Sequence, residues 1–172
     1  MKFETFEKLE KLYKKFRAQE FGKICQKLLA LSFQKAGFKY VGESERGVQG
    51  VDIGEAVRGE EKYSIEVKTT TKNTIKYGQK DAEGLLHQKN MGYQPVLAVL
   101  KLEIFSDWFF IKADKLKPGN IFIESLRVYR LRDLENEINP LFDETVEEHF
   151  VLTLEEGQKY LDNVLRKNFF EN

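Results

Sequence analysis

Three residues in one short stretch are of types that could hold a cation and work on an ester bond. Along "GVDIGEAVRGEEKYSIEVKTT" (50–70), Glu66 and Lys68 stand two apart in a run that reads as a β-strand. Asp52 lies in the run before it. Alternate residues of a strand share a face, so Ser64, Glu66 and Lys68 point one way while Ile65 and Val67 point the other. The turn "RGEE" makes the two runs a hairpin, which can bring Asp52 to the Glu66 and Lys68 face. In the first run, alternation groups Val51, Ile53 and Val57 on one face and Asp52, Gly54 and Ala56 on the other. Asp52 is therefore expected among small neighbours.

Two carboxylates held close repel one another unless a cation sits between them. An all-oxygen pair with open positions suits Mg²⁺, with Mn²⁺ as a substitute, and the carbonyl of Val67 could add a further oxygen. A bound cation and the Lys68 ammonium together can position a water and neutralise charge on a phosphodiester as it is attacked. Lys68 suits orientation and charge stabilisation better than general base, because the carboxylates raise its pKa while a cation lowers it. The same residues also fit a plainer alternative, a half-solvated hairpin with a cross-strand ion pair.

The elements around this hairpin follow from periodicity. Residues 3–36 carry Phe6, Leu9, Leu12, Phe16, Ile24, Leu28 and Leu31 at three-to-four spacing, which predicts helix. Gly22 is a candidate break in it and Gly37 its stop. "FKYV" (38–41) predicts a first strand. Residues 79–91 predict a short helix with Ala82, Leu85 and Leu86 inward. "PVLAVLKL" (95–102) reads as a strand buried on both faces, and "DWFFIKA" (107–113) as another. Beyond these, "IFIESLRVYRL" fits strand or helix. "TLEEGQKYLDNVLRKNFF" reads as helix, with Thr153 and Glu156 at capping-box spacing. The order predicts an α/β arrangement of helices around a mixed sheet. No repeat or linker divides the 172 residues, so one domain is expected, with a C-terminal extension over 116–172.

Composition narrows the function classes. At 41% hydrophobic the chain is not expected to be disordered. No run of about 18 apolar residues predicts a membrane span. The charged start "MKFETFEKLEKLYKKF" lacks the apolar core of a signal peptide, and a cytoplasmic location is expected. Cys25 is the one cysteine, which excludes a disulfide framework and reads as a small buried hydrophobe. Net charge is zero, yet residues 133–156 hold nine acidic residues and no Lys or Arg. The remaining body is basic and could present a positive surface to phosphates; a salt-bridged surface is the alternative. Lys72, Lys76 and Lys80 form a run suited to phosphate contacts beside the hairpin. Gln79 opens the following helix, where phosphates are attracted, and Arg46 in the preceding loop could reach a backbone phosphate. Trp108, Phe109 and Phe110 read as core rather than base-stacking residues. His87 and His149 read as solvated, neither having a partner at metal-ligand spacing.

The ordered series "GKICQKLLALSFQKAGF", "GVDI", "SIEVKTT", "YGQKDAEGLL", "PVLAVL" and "WFFI" resembles the PD-(D/E)XK nuclease superfamily over roughly residues 18–113. Within it, the chain resembles archaeal Holliday-junction resolvases and Mrr-like restriction endonucleases. The resemblance implies a restriction-endonuclease-like mixed sheet flanked by helices, often assembled as a homodimer. It also implies a Mg²⁺-dependent endonuclease acting on branched or duplex DNA, with Asp52 and Glu66 as the acidic pair and Lys68 as the lysine. The family usually places a Glu on the first helix, and counting from Gly22 and from Gly37 leads to Gln26 instead. An amide there can accept from a metal-bound water but adds no negative charge. Two readings follow: an endonuclease assisted by Gln26, or a nuclease-fold DNA-binding or interaction subunit with weak or no turnover.

Overall fold

In chain order the elements are helix α1 (Phe3–Lys35), strands β1 (Gly42–Glu43), β2 (Ile53–Arg58), β3 (Glu61–Thr70) and β4 (Thr74–Tyr77), helix α2 (Gln79–Asn90), strands β5 (Gln94–Lys101), β6 (Phe109–Lys112) and β7 (Gly119–Phe122), and helices α3 (Arg132–Glu156) and α4 (Gln158–Glu171). This is a computed structural model that describes residues 1–39, 42–43 and 51–171, with the backbone alone at 42–43 and 169–171. The main sheet has five strands in the order β1-β2-β3-β5-β6, and β4 pairs with β7 in a second, two-stranded sheet. The β3–β5 pair is parallel and the others are antiparallel, so the expected mixed sheet flanked by helices is what forms. Among the described residues, no helix is long and apolar enough to cross a membrane.

β3 is the central strand, and its two faces meet different layers. Ile65 and Val67 join Val96, Ala98 and Leu100 of β5 under α1, α3 and α4, where Leu28, Phe33, Ile138, Phe142 and Leu161 are buried. On the opposite face, Leu97 and Val99 pack with Val51, Ile75, Tyr77 and Leu85, so α2 and the small sheet cover that side. Burying each such aliphatic side chain contributes about 2 kcal/mol. β5 is buried on both faces, as its unbroken apolar run requires.

α1 breaks at a different place from the one its composition suggests. The non-helical residue is Arg17, at φ 60° and ψ 178°. Gly22 stays helical and serves a close approach: a Cβ there would lie 3.3 Å from Thr69 Oγ1, next to Lys68 on β3. Gly37, at φ 86°, ends the helix as expected. The Phe38 N–H donates to Phe33 C=O and the Gly37 N–H to Gln34 C=O, the paired bonds of a Schellman stop.

Several other expectations change. Ile53 lies opposite Ile65 but Ala56 lies opposite Tyr63, so β2 carries one extra residue. This bulge turns Ala56 into the same core as Ile53, away from Asp52, while Val51 packs on the other layer. Phe38 and Lys39 are not in a strand, and 40–41 lie outside the described residues. Leu86 is exposed, since α2 turns only Leu85 fully inward. "IFIESLRVYRL" divides between β7 and a 3₁₀ turn over Ile123–Tyr129. Thr153 is buried in the last turn of α3, where its C=O accepts the Gly157 N–H, so it opens no helix. His149 is buried and its Nδ1 lies 2.8 Å from the Tyr160 hydroxyl.

The acidic stretch is α3, and basic groups of the body meet it. Glu135 pairs with Arg130 at 2.7 Å and Glu148 with Lys35 at 2.6 Å, while Glu137 pairs with Arg58 and Glu147 with Lys8.

The backbone of Arg17 occupies a region that side chains other than glycine adopt at a cost of about 1–3 kcal/mol. Arg17→Gly relieves that cost and loses part of it to unfolded-chain entropy. We expect a net gain of about 1 kcal/mol, read as a Tm increase of a few degrees by calorimetry.

Candidate active site

Strand alternation puts Glu66 and Lys68 on the α2 side of the sheet, beside Leu97 and Val99 of the parallel neighbour. Glu66 is only 4% exposed, whereas Lys68 is half-buried. Lys68 Nζ lies 2.5 Å from Glu66 Oε1 and 2.7 Å from Asp81 Oδ2. Asp81 is the third residue of α2, and the same Oδ2 accepts the Gly78 N–H at 2.8 Å. Sequence reading missed Asp81. Its signal was the spacing Gly78-x-x-Asp81, at which a carboxylate in the first helical turn reaches back to the capping N–H.

Asp52 sits in a bend just ahead of β2. The β2–β3 ladder ends at Ile53 and Ile65, so the polar groups of Val67 extend past the end of β2. Asp52 Oδ2 takes the Val67 N–H at 2.9 Å. A strand residue presents its N–H and C=O to the same edge, so the Val67 carbonyl opens on the Asp52 side. Buried Gln26, on α1, donates from Nε2 to the Asp52 carbonyl at 3.0 Å. Gln26, Asp52, Glu66, Val67 and Lys68 are thereby gathered at one place.

Electrostatics there are unfavourable to two bare carboxylates. Burial, then the charge of Asp52, pushes the Glu66 carboxyl up to about 8, more than Lys68 pulls it down. Asp52 is also raised, by burial, against the Val67 N–H and the nearby Lys68 and Lys23 charges. For Lys68, burial alone would lower the ammonium, but Glu66 and Asp81 outweigh it and raise its pKa. Tyr77, buried alongside, is pushed up to about 12 by burial and then by Asp81 and Glu66, so it stays a phenol.

The donor set fits a divalent cation. Glu66 Oε2 is buried with no hydrogen-bond partner, and both acids are driven toward their neutral forms. A cation would satisfy that oxygen and reverse both shifts. Among the described residues, no group of three or more His, Cys, Asp or Glu could hold a metal ion. Two carboxylates and the Val67 carbonyl leave octahedral positions for water and a phosphate oxygen.

Four other sequence-predicted residues are found at the surface. Lys72, Lys76, Gln79 and Lys80 are all exposed. Gln79 donates to Glu83 Oε1 at 2.9 Å, and Gln79 and Lys80 directly precede Asp81 on α2. Lys72 borders a groove of about 240 Å³ at the end of β3, shared with Tyr13, Phe21 and Thr69. Arg46 lies outside the described residues. Trp108 and Phe110 are fully buried, and the Arg130 guanidinium lies 4.1 Å from the Phe109 ring centre, so the aromatic run is structural.

Compared with known families, residues 21–139 match the model described as archaeal Holliday junction resolvase (Hjc). No match is found among curated proteins. Among solved structures the chain is similar to a Holliday junction resolvase of the archaeal hyperthermophile Archaeoglobus fulgidus. That similarity has 18% identity and a TM-score of 0.47, and it covers 62% of this chain and 93% of the other.

The raised Glu66 pKa sets a pH dependence. Between its ordinary value of 4.5 and about 8, the folded metal-free chain holds a proton that the unfolded chain has released. Stability must therefore fall as pH rises through that window. Glu66→Gln should remove this fall: at pH 8 without metal it should melt several degrees above the unsubstituted chain, and at pH 5 the gap should close. Adding Mn²⁺ should raise the Tm of the unsubstituted chain and leave Glu66→Gln nearly unchanged, both read by differential scanning calorimetry.

Proposed function

The chain belongs to the archaeal Holliday junction resolvase family, and from that premise we propose that it cuts branched DNA by Mg²⁺-dependent phosphodiester hydrolysis at Asp52, Glu66 and Lys68. The observation that carries this reading is the buried, partnerless Glu66 Oε2 beside Asp52, with the Lys68 ammonium 2.5 Å from the other Glu66 oxygen. A bound Mg²⁺, or Mn²⁺ in its place, would supply positive charge at the scissile phosphate and acidify a water.

Asp52 and Glu66, with the Val67 carbonyl, are the residues that would hold the ion. Lys68 carries three N–H donors and is kept charged by its carboxylate neighbours. Its part is to orient the attacking water and to stabilise charge on the phosphate as the P–O bond breaks. Gln26 holds the Asp52 peptide from the α1 side. Lys76, Gln79 and Lys80, just before and at the start of α2, would meet the DNA backbone where the helix dipole also favours phosphate, and Lys72 would meet it at the end of β3. A four-way junction has paired strands related by two-fold symmetry, which suits a homodimer with one site per strand.

Gln26 favours a second reading. An amide in place of a carboxylate leaves the site with less negative charge, and a chain that holds metal poorly would bind junctions without cutting them.

Labelled four-way junction, linear duplex and single-stranded DNA, each incubated with Mg²⁺ or Mn²⁺, separate these readings. We expect cleavage of the junction in preference to linear DNA, with Asp52→Ala lowering the rate at least about 1,000-fold while junction binding persists. Equal cutting by Asp52→Ala would contradict the site. Binding without cutting in either metal would select the second reading.

A further inference from the structure

We propose that Asp81 is a positioning residue for cleavage: it keeps the Lys68 ammonium in place when Glu66 is committed to a cation. This deepens the reading of the site given above and rests on it. Lys68 Nζ is held between two acceptors, Glu66 Oε1 at 2.5 Å and Asp81 Oδ2 at 2.7 Å. A cation at Asp52 and Glu66 draws on the charge of one of them. The lysine stem has four flexible carbons, so an ammonium left with no second anchor would wander. A reacting group misplaced by about 1 Å can cost on the order of 100-fold in rate.

Asp81 is built for this task by its place in the fold. The α2 backbone carries it, and Gly84, Leu85 and Gln88 of that helix are buried on the sheet side. Its Oδ2 accepts both the Gly78 N–H and the lysine, so the helix start fixes the oxygen that holds the ammonium. That oxygen already meets two hydrogen-bond donors, which sets Asp81 apart from Glu66, whose Oε2 meets none. Asp81 therefore serves the lysine and not the ion.

The test compares two variants of the full chain with the unsubstituted protein. Asp81→Asn and Asp81→Ser keep an oxygen for the Gly78 N–H but lose the charge facing Lys68. Single-turnover cleavage of a four-way junction, junction affinity and Mn²⁺ affinity are measured for each. Expected are a cleavage rate about 10- to 100-fold lower in both Asp81 variants and both affinities within about threefold of the unsubstituted chain. Full activity of either folded Asp81 variant overturns the proposal, since each keeps the cap and would make Asp81 a helix cap only. Loss of Mn²⁺ affinity in Asp81→Asn overturns it in favour of a metal ligand. An unsubstituted chain that binds junctions without cutting them overturns the underlying reading as well, whereas each of the other failures touches Asp81 alone.

Discussion

A nearly buried carboxylate, Glu66, held beside a second one, Asp52, is the constraint around which this structure is arranged. Such a pair opposes its own ionisation, and the protein supplies only part of the compensation. Lys68 meets one Glu66 oxygen, and the Val67 N–H meets one Asp52 oxygen. What is left uncompensated is Glu66 Oε2, buried with no hydrogen-bond partner, which in the proposed function would meet a divalent ion. In the proposed function, a bound divalent ion would recover the stability that this arrangement costs locally.

Holding that arrangement requires both faces of β3. The α1 side supplies rigidity: Ile65 and Val67 are locked into the main core, Gly22 lets the helix settle against Thr69, and Gln26 reaches the Asp52 peptide. The α2 side carries Asp81, paired with Lys68, and the buried Tyr77. α3 brings a run of acids that would repel DNA if bare. Arg130, Arg58, Lys8 and Lys35 hold four of them. The family match ends at residue 139, so most of α3 and all of α4 lie beyond it.

The central hairpin was legible because strand alternation has a period of two, and E-x-K leaves no choice about which residues share a face. The mixed sheet was legible for a related reason: a run apolar at every position, like β5, needs cover on both sides. The bulge in β2 was not, since one inserted residue leaves no mark in composition yet moves Ala56 from the Asp52 face into the core. Glycine misled at Gly22, where the missing side chain serves a tertiary contact rather than a break. The real break falls on Arg17, whose residue type announces nothing. Asp81 had a local signal as a cap, but its bond to Lys68 is long-range and belongs to the fold. His149 is buried by α4, the part of the chain whose packing periodicity alone could not place.

The central claim is that Asp52 and Glu66 together grip one divalent ion, and anomalous scattering from a crystal soaked in Mn²⁺ tests it most directly. The account requires a single strong peak within about 2.0–2.3 Å of an oxygen from each carboxylate, with Lys68 still on Asp81. A crystal fully exposed to Mn²⁺ that shows no peak there, with Glu66 Oε2 satisfied by the protein itself, would contradict it.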